Sequence, residues 1–228
     1  MVTTCTDWPR APFDRIVAIN NAWRVRPDWD DLIHPRDFPA DRMPPHVAAT
    51  QHVVTETDFV PAQNAYGGFV YAGATMAFTA AYWALYHHRP RIIAFLGCDM
   101  HYPTGQTHFY GHGTADPLRP DITLQSLEAK SARLQILAAR QGCALVNLST
   151  GPTRLTFPRV PRASLTSATP RAFDALAAAR AERGEAALGY HVPSGRYWEE
   201  IDRFNPEKLA ALDGLWQAAA QAAEPATP

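Results

Sequence analysis

The sequence predicts an α/β protein: a Rossmann-like, mostly parallel sheet flanked by helices and followed by a helical C-terminal tail. Two observations predict this fold class. Short apolar runs, each as long as a buried strand, alternate with helical segments, and the 228-residue chain is 46% apolar and 19% charged, as in an ordinary globular protein. We expect residues 1–150 to form the Rossmann-like domain and residues 151–228 to form a loop and helical extension that packs on it.

The candidate strands are five apolar runs. In chain order they are "RIVAI" at 15–19, "DLIH" at 31–34, "QHVVT" at 51–55, "RIIAFLG" at 91–97 and "CALVNLS" at 143–149. The helices between them imply parallel pairing with right-handed crossovers. The second and third runs are the weaker candidates, and a proline-rich loop separates them.

The first predicted helix covers about 69–88, follows Gly67-Gly68 and carries no charge between 69 and 86. That length reaches the lower limit for a membrane span. Its Ala, Thr and Tyr content and the strand-like run after it instead favour a helix buried against the sheet. Three further helices are predicted from their first residues: one from Asp121 or Thr123 to about Arg140, one from Thr169-Pro170 to about Leu188, and one from Asn205-Pro206.

Charge and cysteine content argue against several classes of function. The formal net charge of −1 includes no basic excess or basic run, so neither nucleic acid nor a membrane surface is an expected partner. The three cysteines lie far apart and form no CxxC pair, which argues against a disulfide framework and a thiolate metal site. The N-terminal residues lack the pattern of a secretory signal, so we expect a cytoplasmic location.

Polar side chains follow three of the predicted strands. Asn20-Asn21, Asp99, and Asn147 with Ser149 come directly after apolar runs, at the edge of a parallel sheet where ligands gather. Asparagine offers both a donor and an acceptor to a base or a ribose. Asp99 could bind ribose hydroxyls, orient a histidine or hold an acceptor hydroxyl. Its alternative role is to cap the following turn through its own backbone.

The segment after Asp99 is rich in functional groups. It contains His101, Tyr102 and the hexapeptide "HFYGHG" at 108–113, which places His108 and His112 four residues apart. A histidine near its unperturbed pKa can remove a proton from an attacking hydroxyl at neutral pH, which favours a catalytic base here. Two alternatives stay open: metal binding by His101, His108 and His112, which their spacing does not favour, and a solvated polar loop.

These motifs resemble those of a known superfamily. "RPDWDDLIHPRDF", the glycine-led helix, "IIAFLGCDMHY" and "HFYGHG", within roughly residues 15–113, look like the bacterial sialyltransferases that build lipooligosaccharide and the related 6-hydroxymethylpterin diphosphokinase-like proteins. The resemblance implies that residues 1–150 bind a nucleotide-activated donor such as a CMP-sugar. No metal cofactor is expected, because the chain has neither a thiolate pair nor a ligand spacing typical of a helix.

The resemblance also implies roles for individual residues. Asn20, or Asn21 in a shifted register, would contact the nucleotide, and we expect Gly67 and Gly97 to lie beside it. The family's G-x-D-F-Y strand end matches the residues from Gly97 to Met100, with the tyrosine one residue late at Tyr102. The family's H-Y-I-G-H-S loop matches residues 108–113, which makes His112 the implied catalytic base, with His108 beside it.

Two departures from the family accompany the resemblance. Asn64 stands where the family has an arginine ahead of the glycine-led helix. The family also opens with a strand and a G-x-G-P-S turn that cradles the donor phosphates, and "MVTTCTDWPRAPFDRIVAI" would fall just after such a turn. Either the start codon was assigned too late, or the protein lacks this phosphate cradle.

The sequence therefore predicts a transferase that moves a sugar from a nucleotide-activated donor to a small hydroxyl acceptor, with Asp99 and Tyr102 shaping the acceptor side. Pyrophosphoryl transfer is the alternative reaction. A non-catalytic relative that binds a nucleotide or a partner protein is the alternative class. Self-association through the tail, where Trp216 lies beside a leucine face, is also left open.

Overall fold

The computed structural model describes residues 8–102 and 119–221. They form a mixed α/β fold with two small parallel sheets. The first sheet contains the strands β1 (Val17–Ile19), β2 (Asp31–Ile33) and β3 (His52–Val54) in that order, and the second pairs β4 (Ile92–Phe95) with β5 (Ala144–Asn147). Each strand lies within one of the predicted runs, and the parallel pairing is confirmed. The described strands form two sheets, however, rather than one continuous sheet.

Helices surround both sheets. In chain order the α-helices of the described residues are α1 (Glu56–Ala65), α2 (Phe69–Ala72), α3 (Met76–His88), α4 (Leu127–Arg140), α5 (Ala175–Leu188) and α6 (Pro206–Ala220). Short 3-10 segments occur at Asn20–Val25, Ala40–Arg42, Ile122–Leu124, Arg162–Ser167 and Tyr197–Arg203. Within the described ranges, no helix has both the length and the apolar character needed to cross a membrane.

The predicted helix at 69–88 is two helices in the structure. Gly73 adopts a φ of +85°, which ends α2 after one turn, and the Thr75 hydroxyl then caps α3 by accepting a hydrogen bond from the Phe78 N–H. Most of α3 is buried, and it packs on both sheets: Ala80, Trp83 and Ala84 join the core of the first sheet, and Phe78, Tyr82 and Leu85 join that of the second. The helix α3 therefore connects the two sheets.

The tail packs on α4. Asn205 caps α6 as predicted, since its Oδ1 accepts a hydrogen bond from the Lys208 N–H at 2.9 Å. The start of α5 differs from the prediction at Thr169-Pro170: the cap is Asp174, whose carboxylate accepts from two N–H groups of the first helical turn. A single apolar cluster joins α4 to both tail helices, with Ala132, Ile136, Ala178, Leu209 and Trp216 among its members.

Two largely buried ion pairs connect α4 to the tail helices. Lys130 on α4 and Asp213 on α6 are 2.8 Å apart, with side chains that are 1% and 5% exposed. Arg133 on α4 donates two hydrogen bonds of 2.6 and 2.8 Å to the Glu185 carboxylate on α5. Glu185 Oε1 also accepts from Trp216 Nε1 at 2.8 Å. Because buried charges are tolerated only when they are paired and hydrogen-bonded, these pairs restrict how the tail can lie on α4.

Candidate functional site

The ends of the strands meet at one end of a cleft between the two sheets. The cleft is lined there by Ile19 at the end of β1 and by Ala22 after it, by Leu96 and Cys98 after β4, and by Leu148 after β5. The helices α1, α2 and α3 connect β3 to β4. A helical connection of this kind typically joins strands that run parallel, which places the ends of β3 and β4 on the same side. The ends of β1, β4 and β5 therefore line one cleft, and hydrogen bonds join the polar residues that follow β4 to those at the end of β5.

Asp99 leaves β4 through a turn with two residues in the left-handed region, Gly97 at φ +69° and Met100 at φ +54°. The Asp99 Oδ1 accepts a hydrogen bond from Asn147 Nδ2 at 3.0 Å. The Asp99 carbonyl oxygen accepts from the Arg154 N–H at 2.9 Å. The Asp99 carboxylate is thus positioned by a side chain of the neighbouring strand β5. The alternative role, in which Asp99 caps the following turn, does not account for this bond.

Asn147 is fully buried and connects the ends of β4 and β5. Besides its bond to Asp99, Nδ2 donates to the Thr153 hydroxyl at 3.2 Å, and Oδ1 accepts from the Ser149 N–H at 2.8 Å. The Ser149 hydroxyl in turn accepts from the Gly97 N–H at 3.0 Å. Both sides of the Asn147 amide are therefore engaged within the protein, so Asn147 and Ser149 position the Asp99 turn.

Asn20 and Asn21 follow β1, in the first turn of the 3-10 segment. Asn20 has a φ of +51°, which asparagine tolerates better than most residues, and Asn21 is 4% exposed. The Oδ1 atom of each side chain is buried and has no hydrogen-bond partner among the described residues. An unsatisfied buried acceptor costs about 1–3 kcal/mol, so each oxygen can accept a hydrogen bond from a water molecule or a ligand.

His34 belongs to the same group, and the sequence analysis did not single it out. It follows β2 at the register position beside Asn20, since Ile19 pairs with Ile33. Its Nδ1 lies 2.9 Å from the Pro35 carbonyl oxygen, so in the neutral ring the hydrogen is on Nδ1 and Nε2 is an acceptor. Nε2 is buried without a partner among the described residues. The signal in the sequence was a histidine directly after a strand.

Tyr102 packs against the apolar cluster between α4 and the second sheet. Burial raises the pKa of Tyr102 to about 12, so its hydroxyl is protonated at neutral pH and can donate a hydrogen bond. His108 and His112 lie outside the described residues. In the part of the chain that is described, no group of three His, Cys, Asp or Glu side chains is placed to hold a metal ion.

Gly67 lies beside the helices α4 and α5. Its φ is +89°, and a Cβ atom there would come within 3.1 Å of the Arg133 guanidinium and 3.4 Å of the Glu185 carboxylate. Gly67 therefore packs against the ion pair between α4 and α5, and its neighbours are not those of the strand ends. Asn64 donates a hydrogen bond of 2.7 Å to the Pro193 carbonyl oxygen, which ties α1 to the tail.

Comparison of the chain with known proteins found no matching family model, no matching curated protein and no matching solved structure. The resemblance to the sialyltransferases and the pterin diphosphokinase-like proteins stays a prediction.

Proposed function

We propose that the protein is a transferase that uses a nucleotide-activated donor, and that the ends of β1, β2, β4 and β5 bind the nucleotide. One observation carries the proposal: Asn20 Oδ1, Asn21 Oδ1 and His34 Nε2 are buried acceptors without partners among the described residues. Acceptors of this kind fit a ligand surface rich in donors, such as ribose hydroxyls and the amino group of a base. In this proposal the two sheets are the halves of one Rossmann-like domain, which binds ligands at this edge.

Glycosyl transfer to a small hydroxyl acceptor is the reaction that we propose. The Asp99 carboxylate, oriented by Asn147, accepts a hydrogen bond from the acceptor hydroxyl, and Tyr102 donates one on the same side. The acceptor oxygen forms a bond to the anomeric carbon as the bond from that carbon to the nucleotide breaks. His112 takes the hydroxyl proton, His108 is the second catalytic histidine of the proposal, and the nucleotide leaves with the electron pair.

Nucleotide binding is the first test. Thermal unfolding is measured for residues 1–228, and for the chain with its in-frame upstream codons, in the presence of CMP, UDP, GDP, ATP or a CMP-sugar. Bound ligand at 100 times its Kd stabilises a protein by about 2.7 kcal/mol. His34→Phe removes one acceptor and should weaken binding about tenfold, whereas His46→Phe at an exposed position is the matched control. If no nucleotide raises the Tm of either the 228-residue chain or the longer chain, the proposal is contradicted.

Turnover distinguishes the reactions. With a CMP-sugar and a hydroxyl acceptor, His112→Ala should abolish transfer and leave nucleotide affinity unchanged, because a base acts only in the chemical step. A full transfer rate in His112→Ala refutes the role of that residue. A preference for ATP with release of AMP would replace glycosyl transfer by pyrophosphoryl transfer. Tight binding without turnover would replace it by the non-catalytic alternative.

A further inference from the structure

The segment that follows β5 is basic. Residues 150–173 contain no aspartate or glutamate and four arginines, which are Arg154, Arg159, Arg162 and Arg171. Arg154 is neutralised, because it donates two hydrogen bonds of 2.7 and 2.9 Å to the Glu128 carboxylate on α4. Arg159 differs from Arg154 in both its position and its charge environment.

Arg159 lies at the end of β5. The Asn147 N–H donates to the Pro158 carbonyl oxygen at 2.9 Å, and the Val160 N–H donates to the Asn147 carbonyl oxygen at 3.2 Å. Arg159 is therefore paired with Asn147 in a parallel bridge, and Asn147 is the residue that holds the Asp99 carboxylate. This pairing places Arg159 at the carboxyl edge of the second sheet, next to the acceptor side of the proposed site.

The Arg159 guanidinium is held in place but is not neutralised. Its Nη1 donates to the Thr150 carbonyl oxygen at 2.7 Å and its Nη2 donates to the Gly151 carbonyl oxygen, both in the loop after β5. These acceptors are neutral, and no carboxylate among the described residues pairs with Arg159. The residue is exposed, so its remaining N–H groups are accessible to a ligand. An arginine that is already fixed loses little further conformational entropy when it binds.

The amino edge of the first sheet shows the opposite arrangement. Three arginines there each form an ion pair with an aspartate at or just before the start of β2: Arg10 with Asp30, Arg15 with Asp31, and Arg26 with Asp28. The uncompensated charge of Arg159 instead lies at a carboxyl edge, where open parallel sheets bind their ligands. A fixed positive charge at that edge attracts anions to it.

We propose that Arg159 binds an oxyanion of the substrate, a carboxylate or phosphate group carried close to the hydroxyl that reacts. The inference rests on the proposed transferase and adds the class of its substrate: either the acceptor or the sugar that is transferred is acidic. The planar guanidinium suits this role, because it forms two parallel hydrogen bonds with a carboxylate or a phosphate. Arg159 is then a residue that determines specificity, and the chemical step is left to the groups named above.

Binding of inorganic phosphate tests the anion site separately from the transferase. Titration calorimetry at low ionic strength, where screening is weakest, gives the Kd of the wild type, of Arg159→Gln and of the control Arg180→Gln, at an exposed position on α5. Arg159→Gln should raise the Kd about tenfold or more, because a charge-assisted hydrogen bond is lost, and Arg180→Gln should leave it unchanged.

Arg159→Lys keeps the charge but not the planar fork, so it should weaken phosphate binding by a smaller factor. This variant also provides the test if Arg159→Gln does not fold, which circular dichroism establishes. The proposal is overturned if the wild type does not bind phosphate, or if the Kd is the same in Arg159→Gln and Arg180→Gln.

Transfer assays identify which substrate carries the anion. A phosphorylated acceptor is compared with its neutral parent, and a donor of an acidic sugar with a donor of its neutral counterpart. The wild type should prefer the acidic member of one comparison, and Arg159→Gln should lose that preference in kcat/KM by about tenfold or more. Equal preferences in wild type and Arg159→Gln in both comparisons overturn the proposal. Phosphate binding through Arg159 without binding of any nucleotide would refute the proposed transferase and uphold the anion site.

Discussion

The bidentate pair between Arg133 and Glu185 allows a direct measurement of how strongly the tail is fastened to the rest of the molecule. Glu185→Gln removes the negative charge at nearly constant size. It leaves the Arg133 side chain, 4% exposed, without its counter-ion, although the bonds from Arg133 to the Tyr82 hydroxyl and the Tyr66 carbonyl persist. Removal of one partner of a buried pair costs about 3–5 kcal/mol. Because these two bonds remain, we expect the free energy of unfolding to fall by about 3 kcal/mol.

A second pair on the same two helices supplies the matched control. Arg140 on α4 is hydrogen-bonded to Glu182 on α5, and their side chains are 33% and 41% exposed. Solvent screens this pair, so Glu182→Gln should cost less than about 1 kcal/mol. Both variants replace a glutamate of α5 by glutamine, and the two positions are about one helical turn apart. A difference between them therefore measures burial rather than helix propensity.

Urea denaturation of both variants, followed by Trp fluorescence and by circular dichroism, gives the two free energies. The m-values should agree with that of the wild type, so that the midpoints report stability alone. If Glu185→Gln and Glu182→Gln lose the same amount, or if Glu185→Gln loses less than about 1 kcal/mol, the reasoning from burial is wrong.

Three further predictions concern other parts of the molecule. Asn147→Ala leaves the Asp99 carboxylate and the Ser149 N–H without their partner, so urea denaturation should show a loss of about 2–4 kcal/mol. Asn64→Ala, at a half-buried position with one hydrogen bond to the Pro193 carbonyl oxygen, should cost about 1 kcal/mol. Burial, together with the nearby Arg15, lowers the pKa of His88 below 6.5. The free energy of unfolding that the neutral His88 ring contributes is present above about pH 6.5 and is lost as the pH falls through the lowered pKa. In His88→Gln the free energy of unfolding should therefore depend less on pH in this range. Gly214→Ala should stabilise α6 by about 0.5–1 kcal/mol, whereas Gly184→Ala should gain less, because its Cβ would lie 3.0 Å from Leu212 Cδ1.

Each of these predictions has an outcome that contradicts it. Equal losses for Asn147→Ala and Asn64→Ala would mean that the amide of Asn147 does not hold the Asp99 turn. A stability profile that is parallel in wild type and His88→Gln between pH 7.5 and 5 would exclude His88 as its source. A Gly184→Ala variant as stable as Gly214→Ala would show that the contact between α5 and α6 relaxes without cost.

The sequence predicted the positions of the described strands, because each lies within a short and mostly apolar run of the kind that a buried parallel sheet requires. It did not predict their grouping into two sheets, since pairing depends on contacts between distant residues such as Ile33 and Val54. The helix α1 was missed although its start carries a local signal. Thr55 and Asp58 form a capping box, in which the Thr55 N–H donates to Asp58 Oδ2 at 2.9 Å.

The candidate site shows the same division between local and distant information. Asn20, Asn21 and Asp99 could be selected because each follows an apolar run. That Asn147 holds the Asp99 carboxylate depends on how β4 pairs with β5, and a pattern along the chain does not contain this information. His34 was missed because its importance lies in a buried Nε2 without a partner, which only the folded structure reveals.

The Lys130–Asp213 pair has a consequence for the fidelity of folding. Burial raises the pKa of the Asp213 carboxyl while Lys130 acts to lower it, so the charged pair is tolerated only while the two groups touch. If α6 docked on α4 displaced by one helical turn, its alanines and leucines would still find an apolar surface, but both charges would be buried apart, at a cost of several kcal/mol. The pair thus disfavours a misaligned docking of the last helix, together with the hydrogen bond from Trp216 to Glu185.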